Sequence, residues 1–433
     1  MKSARILYRY NILIIVTALL LMQCNHPPGD ATYTALDSLL NNKEYFKLED
    51  RLTKQRDDLS PPQQLYFEAF INNAFNRNRV AAKQVDSLLK NYSSSFNDTV
   101  KVDLLRLQED CYFKLFDYAK AANVDSTIIN GYAASLDSSG LADVKNSFLL
   151  RNGLRNVPPQ LVSRRTINEL PWKRNILGLI TIPIEHRGDS FNCIFDTRAN
   201  ISSITETYAK KLGLRILPVT YDEGAGLTGI TFKTGLGVAD SLYIGNILIR
   251  NAVFQVMPDS ILYIAPLKVS LDVILGFPVI AALGEVHILK DGQMIIPQYP
   301  TKNDLHNFAL DKLDPVLLLK TGNDTLNFNF DLGAGNSDLY YAFFQKYKSR
   351  IMKEAHQRHI QLGGAGGIQK KTVYTLPSLE LTLGNKTVTL DSVDIFTQKI
   401  SPEETLYGNI GIDFASKFNE LILNFDQMYV KGS

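Results

Sequence analysis

The chain has 433 residues, enough for about two to four domains. Hydrophobic residues make up 45% and charged residues 21%, a globular balance that excludes a disordered chain, a collagen-like fibre and a multi-span membrane protein. The net charge of +2 gives no basic field for nucleic acid, and the three cysteines, Cys24, Cys111 and Cys193, fit neither a disulfide framework nor a zinc spacing.

The chain opens on a basic stretch, Lys2, Arg5 and Arg9, followed by an apolar run from Ile12 to Met22 broken by Thr17. That run is shorter than the roughly 20 residues a membrane-spanning helix needs, and the pattern reads as a secretory signal. It ends in Leu21-Met22-Gln23-Cys24, and a polar stretch, Asn25 to Asp30, follows. A cysteine in this place resembles a bacterial lipoprotein signal, which implies lipidation of the Cys24 thiol and a membrane anchor. Gln23 stands where a small residue is usual, so plain cleavage and an uncleaved anchor remain open. Each reading exports the body of the chain, and the expected location is the cell envelope. Cys111 and Cys193 sit in apolar surroundings and are expected as buried free thiols.

Residues 25–157 read as helical. Leu36, Leu39 and Leu40 fit an i, i+3, i+4 stripe. Ser60-Pro61-Pro62 starts a thicker apolar helix through Phe75, and Asp98 is placed to cap another. Val85-Asp86-Ser87-Leu88-Leu89 is echoed by Val124-Asp125-Ser126-Thr127-Ile128, 39 residues on. Phe116 to Ala121 looks like the turn of a tetratricopeptide-type hairpin, so stacked helix pairs are expected. An irregular helical bundle is the other reading. No residue here points to chemistry, and a protein partner docked on this half is the role left to it.

Beyond Pro158-Pro159 strand-like runs dominate, punctuated by glycines and polar turns. They form two sets, residues 158–298 and 299–433, with a linker at Pro297 to Asp304 between them. The sets share an order. Phe195-Asp196-Thr197-Arg198-Ala199 matches Phe330-Asp331-Leu332-Gly333-Ala334. Gly224-Ala225-Gly226 matches Gly364-Ala365-Gly366, and Ile274-Leu275-Gly276 matches Asn409-Ile410-Gly411. From the aspartate to the late glycine the interval is 276 − 196 = 80 in one set and 411 − 331 = 80 in the other. The expected fold is multidomain α + β: an α-helical repeat-like domain, then two duplicated, mostly antiparallel β-lobes.

The repeated unit resembles the aspartic protease superfamily, closest to its retropepsin-type lobe. That resemblance covers about residues 175–430 and implies two lobes facing each other across a cleft. Asp196 and Asp331 would be the catalytic pair, supported by Thr197, Arg198, Gly333 and Ala334. Flaps at Gly224, Ala225 and Gly226, and at Gly364, Ala365 and Gly366, would cover an extended peptide or protein substrate. Two carboxylates in contact cannot both stay ionised, so the pair holds an acid and a base together; aspartic proteases are the standard example. The chemistry calls for no metal and no cofactor.

The unit departs from the family pattern on both sides. Arg198 stands where the first lobe has glycine, and Leu332 replaces a hydroxyl residue in the second. A guanidinium that capped the carboxylates would remove the acid. Three readings follow: an aspartic-type endopeptidase, a degenerate module that binds peptides without cutting, and a scaffold. Among rival motifs, His356 and His359 fall at i, i+3 on a possible helix and lack a third ligand, and Gly363 to Gly367 lacks the lysine and hydroxyl of a phosphate loop.

Overall fold

The computed structural model describes residues 28–225, 230–364 and 367–433. Cys24 and the apolar run before it lie outside the described residues. Helices fill the N-terminal part: Pro28–Asn41, Tyr45–Gln55, Pro61–Ala74, Asn78–Asn91, Asp98–Lys114, Tyr118–Gly131 and Ser138–Gly153. Among the described residues none is long and apolar enough to cross a membrane. Ser60 opens its helix with a capping box to Gln63, and Pro61 takes the first turn, where its missing N–H costs nothing. Asn97, rather than Asp98, caps the next pair: its side chain accepts from the Val100 N–H at 3.0 Å, and Asp98 is already helical.

The helices form hairpins whose turns pass through left-handed residues, Lys43, Asn76 and Phe116, at φ of 58°, 59° and 58°. Lys43 and Asn76 stand 33 residues apart; from Asn76 to Phe116, and from the helix start Asp98 to Ser138, the repeat is 40. Under it the buried Ala81, Ala82 and Leu88 fall on Ala121, Ala122 and Ile128. Small residues at the first two positions let neighbouring helices approach closely. The 39-residue echo is therefore one residue out of structural register. Val85 falls on Asp125, which is buried against Arg151. Tetratricopeptide units repeat at about 34 residues, close to the 33-residue interval of the first two turns and shorter than the 40-residue one.

The β-rich part builds the same pairing twice. In the first set, Asp189–Phe195 lies parallel to Val273–Leu275, which runs antiparallel to Ser202–Thr205, itself parallel to Ile247–Met257. In the second, Asp324–Phe330 lies parallel to Gly408–Ile410, which runs antiparallel to Asp338–Leu339, itself parallel to Lys386–Ile395. Equivalent pairs are 330 − 195 = 135 residues apart: Phe195 with Leu275 recurs as Phe330 with Ile410, and Ser203 with Ile274 as Asp338 with Asn409. Each set adds a long hairpin, Arg215–Ala225 with Ile230–Ile244 and His356–Gly364 with Gly367–Leu383. His356 and His359 lie on the second of these. They are strand residues of opposite face, not neighbours on a helix. A third sheet of five strands draws from both sets, with Glu285–Leu289 paired to Glu420–Asn424 at its centre.

The helical part is docked on the β part by polar contacts around a shared apolar core. Tyr45 donates to Asp311 at 3.0 Å, and Asn76 donates to the Phe425 carbonyl at 3.0 Å. His306 packs on Phe75 with ring centres 4.3 Å apart and meets Glu49 at 2.7 Å. Farther along, the Asn146 amide donates to the Asp222 carbonyl at 2.7 Å and accepts its N–H at 2.8 Å. That contact covers the outer edge of the first long hairpin, where backbone groups otherwise stand unpaired. Cys111 and Cys193 are buried and free.

Candidate active site

The two aspartates sit at the same place in the two copied pairings, each just past the strand that runs into a crossing neighbour. The Asp196 N–H donates to the Leu275 carbonyl at 3.1 Å, and the Asp331 N–H donates to the Ile410 carbonyl at 2.9 Å. Two further bonds fix each loop. The Gly276 N–H donates to Ser202 Oγ and the Gly411 N–H to Ser337 Oγ, both at 2.9 Å. The Phe277 N–H reaches the Ala199 carbonyl, and the Ile412 N–H reaches the Ala334 carbonyl. Gly276 and Gly411 are required here, because a Cβ would fall 2.6 Å from the Ala199 carbonyl oxygen or 2.8 Å from that of Ala334.

The loops meet. Thr197 Oγ1 donates to the Phe330 carbonyl at 3.0 Å and accepts the Leu332 N–H at 3.0 Å. Gly333 lies against the Asp196 carboxyl so closely that a Cβ there would stand 2.3 Å from its Cγ. Asp196 and Asp331, Thr197 and Gly333 are thus gathered at one point, with both carboxyls only partly exposed. The Arg198 and Ala199 N–H groups donate to Asp196 Oδ1 at 2.8 and 3.0 Å. The Gly333 N–H donates to Asp331 Oδ1 at 2.8 Å, and Asn409 Nδ2 donates to Asp331 Oδ2 at 3.3 Å.

Burial raises both carboxyls above the ordinary carboxylate range. The charge of Asp331 raises Asp196 further, against the pull of its two N–H bonds. On Asp331 the nearby Arg198 guanidinium opposes the burial. Burial and like charge therefore disfavour two ionised carboxylates, and the pair titrates as a unit that favours holding one proton.

Arg198 does not cap the pair. Its ion pair is with Asp314 at 3.5 Å, and its side chain hydrogen-bonds Tyr340. Among the described residues no ion pair joins it to Asp196 or Asp331. It reaches instead from the first set of strands to two residues of the second. Leu332 is fully buried and contributes its N–H to Thr197, not a hydroxyl. Half of a reciprocal threonine link is present, and Arg198 adds a second crossing beside it.

The two long hairpins carry the glycine-rich segments at their ends. Gly224 and Ala225 close one strand, and Gly364 pairs with Gly367 in the other hairpin. Gly226, Ala365 and Gly366 lie outside the described residues. The first hairpin is tied at its base by Gln255, which donates to Tyr221 at 2.8 Å and to Glu223 at 2.5 Å. The second is tied by Arg358, which donates to both oxygens of Asp394 at 2.9 and 2.8 Å.

Asp314, Tyr340, Asp338 and Asn409 surround the pair and were not read from the sequence. Asp314 and Tyr340 are more than a hundred residues from Arg198 in the chain and carry no motif. Asp338 and Asn409 did leave a signal: polar residues inside short strands, where the first set has Ser203 and Ile274.

The family model described as aspartyl protease matches residues 182–279, the stretch from the first hairpin through Asp196 to the helix after Gly276. No curated protein matches the chain. Among solved structures the chain is similar to conglutin gamma, a basic 7S globulin from lupine seeds. That alignment has 10% identity and a TM-score of 0.40, and covers 61% of this chain and 94% of that one.

Proposed function

We propose that the chain is an aspartic-type endopeptidase whose β part is a duplicated pair of aspartic-protease lobes, bounded at about residues 158–298 and 299–433. The observation that carries this reading is the meeting of the two aspartate loops through Thr197 and Gly333, at a place where burial raises both carboxyls and so favours a single proton on the pair. A water held between the carboxyls gives a proton to Asp331 as its oxygen attacks the scissile carbonyl carbon. Asp196 donates its proton to the carbonyl oxygen, giving a tetrahedral intermediate. The C–N bond then breaks, the leaving amine takes the proton held by Asp331, and Asp196 recovers one from the collapsing intermediate. No covalent intermediate arises. The two long hairpins cover an extended peptide or protein chain from above. Gly224, Ala225 and Gly226, with Gly364, Ala365 and Gly366, are the segments that approach its backbone.

Ion pairing of Arg198 with Asp314 favours catalysis over binding without cleavage, because it leaves the carboxyls uncapped. The test is cleavage of a diverse peptide pool by the chain from Asn25 onward, between pH 3 and pH 8. Loss of all cleavage in Asp196→Asn and in Asp331→Asn, with folding intact, is the expected result. Wild-type protein that is folded and cuts nothing, while peptides still bind the cleft, would sink the endopeptidase reading and leave the binding module. The lipid anchor at Cys24 and the cell-envelope location belong to the same proposal. Mass spectrometry of the mature N-terminus tests them: a diacylated cysteine supports the anchor, and a free terminus elsewhere removes it.

A further inference from the structure

Asp331 touches a polar side chain that Asp196 lacks. Asn409 donates from Nδ2 to Asp331 Oδ2, and its Oδ1 is buried without a partner. Asp338 is the antiparallel neighbour of Asn409 in the sheet, and its Oδ1 is likewise buried without a partner. Two buried acceptors on paired residues, both unsatisfied, are costly to desolvate unless one carries a proton. A carboxyl can; a primary amide oxygen cannot. In the first set of strands the same two positions hold Ser203 and Ile274, so no such pair exists there.

We propose that Asp338 is a positioning residue: as a neutral carboxylic acid it donates its O–H to Asn409 Oδ1, and so turns the Asn409 N–H toward Asp331. The amide is fixed in one orientation, and the dyad carboxyl beside it is held in its charged form. The groups around Asp338 favour the neutral state. Burial and the charge of Asp331 raise its pKa to about 8. Arg198 opposes this, and Asp394 and Asp413 add to it. Asp394 is itself neutralised by Arg358. Below that range Asp338 keeps its donor; above it the donor is lost and the Asn409 orientation is released. This role rests on the dyad reading through the identity of Asp331, but its test does not depend on cleavage.

The test is the carboxyl carbon resonance of Asp331, followed with pH in the full chain from Asn25 onward. Asp338→Leu removes the donor and is expected to raise the Asp331 midpoint by about one pH unit. Asp338→Asn keeps an N–H donor at every pH and is expected to leave that midpoint at the wild-type value. Identical midpoints in wild type and Asp338→Leu would overturn the proposal, as would an equal shift in both variants. If Asp338→Leu does not fold, the Asn409 side-chain amide resonance decides. It is expected to move near pH 8 in wild type and to stay fixed in Asp338→Asn; movement in both, or in neither, overturns the proposal. An inactive wild type with these shifts intact would sink the peptidase reading alone.

Discussion

Arg198 is the residue on which the chemistry turns. A cation beside an acid pair lowers the pKa of its carboxyls, and Arg198 acts in that direction on both Asp331 and Asp196. The reaction needs one carboxyl ionised and the other protonated, so the lower apparent pKa of the pair sets the acidic limb of the pH profile and the higher one the alkaline limb. Removing the guanidinium takes away a term that lowers the Asp331 pKa. Arg198→Met is therefore expected to move the acidic limb of kcat/KM upward, by about one pH unit. An acidic limb that stays in place would mean that the charge of Arg198 is spent on Asp314 alone. The sequence announced Arg198 as a departure, and it gave no sign of Asp314 or Tyr340, which the chain brings in from more than a hundred residues away.

The aspartate loops depend on backbone closeness as much as on side chains. Gly276 and Gly411 each sit where a neighbouring loop leaves no room for a methyl group. The contacts there are backbone atoms, which cannot rotate aside. Gly411→Ala is expected to cost about 1–3 kcal/mol in urea unfolding and to lower cleavage by displacing the Ala334 carbonyl. Gly335→Ala is the control, because its nearest heavy atom beyond the chain neighbours is the Leu177 carbonyl oxygen at 3.8 Å; it is expected to change stability by less than about 0.5 kcal/mol. Equal losses in both would mean that backbone freedom, not space, is what these glycines supply. The repeated Leu-Gly and Ile-Gly of the sequence marked these positions correctly. The long hairpin strands Ile230–Ile244 and Gly367–Leu383 mix polar with apolar residues, so hydrophobic patterning alone marks their full length weakly.

The two sets of strands are held as one body by the five-stranded sheet and by Glu285 beneath it. Glu285 is fully buried. It accepts the Thr301 N–H at 2.7 Å and hydroxyl at 2.8 Å, and lies 2.6 Å from His287 Nε2. Asn424, on the second set, donates to it at 2.5 Å. Thr301 belongs to the segment joining the sets, so one carboxylate ties both sets and the linker together. Burial raises the pKa of Glu285, yet the hydrogen bonds from His287 and Thr301 outweigh it and hold it below the ordinary value. A depressed carboxyl gives stability that is present above its unfolded pKa and lost as pH falls through the folded one. Glu285→Leu is expected to cost about 1–3 kcal/mol at pH 7, because the fully buried Asn424 is left with an unpaired donor and the bonds from Thr301 are lost. The loss relative to wild type is expected to shrink at low pH; a pH-independent loss would mean that packing, not charge, is what Glu285 contributes.

The sequence by itself determined what repeats. Helical periodicity, the aspartate segments and the late glycines are local patterns, and each is written in adjacent residues whose spacing the backbone reads directly. It also marked Asp196 and Asp331 as equivalent positions of the two sets. Tertiary structure alone decided what surrounds them. Whether Arg198 caps the pair or leans on Asp314, whether Asn409 faces Asp331, and how Glu285 gathers the linker all depend on residues distant in the chain. The 40-residue register of the helices was decided in the same way, since a one-residue error in a weak echo shows only when buried positions are compared. Periodicity is a property of neighbours, while burial and pairing are properties of the folded whole.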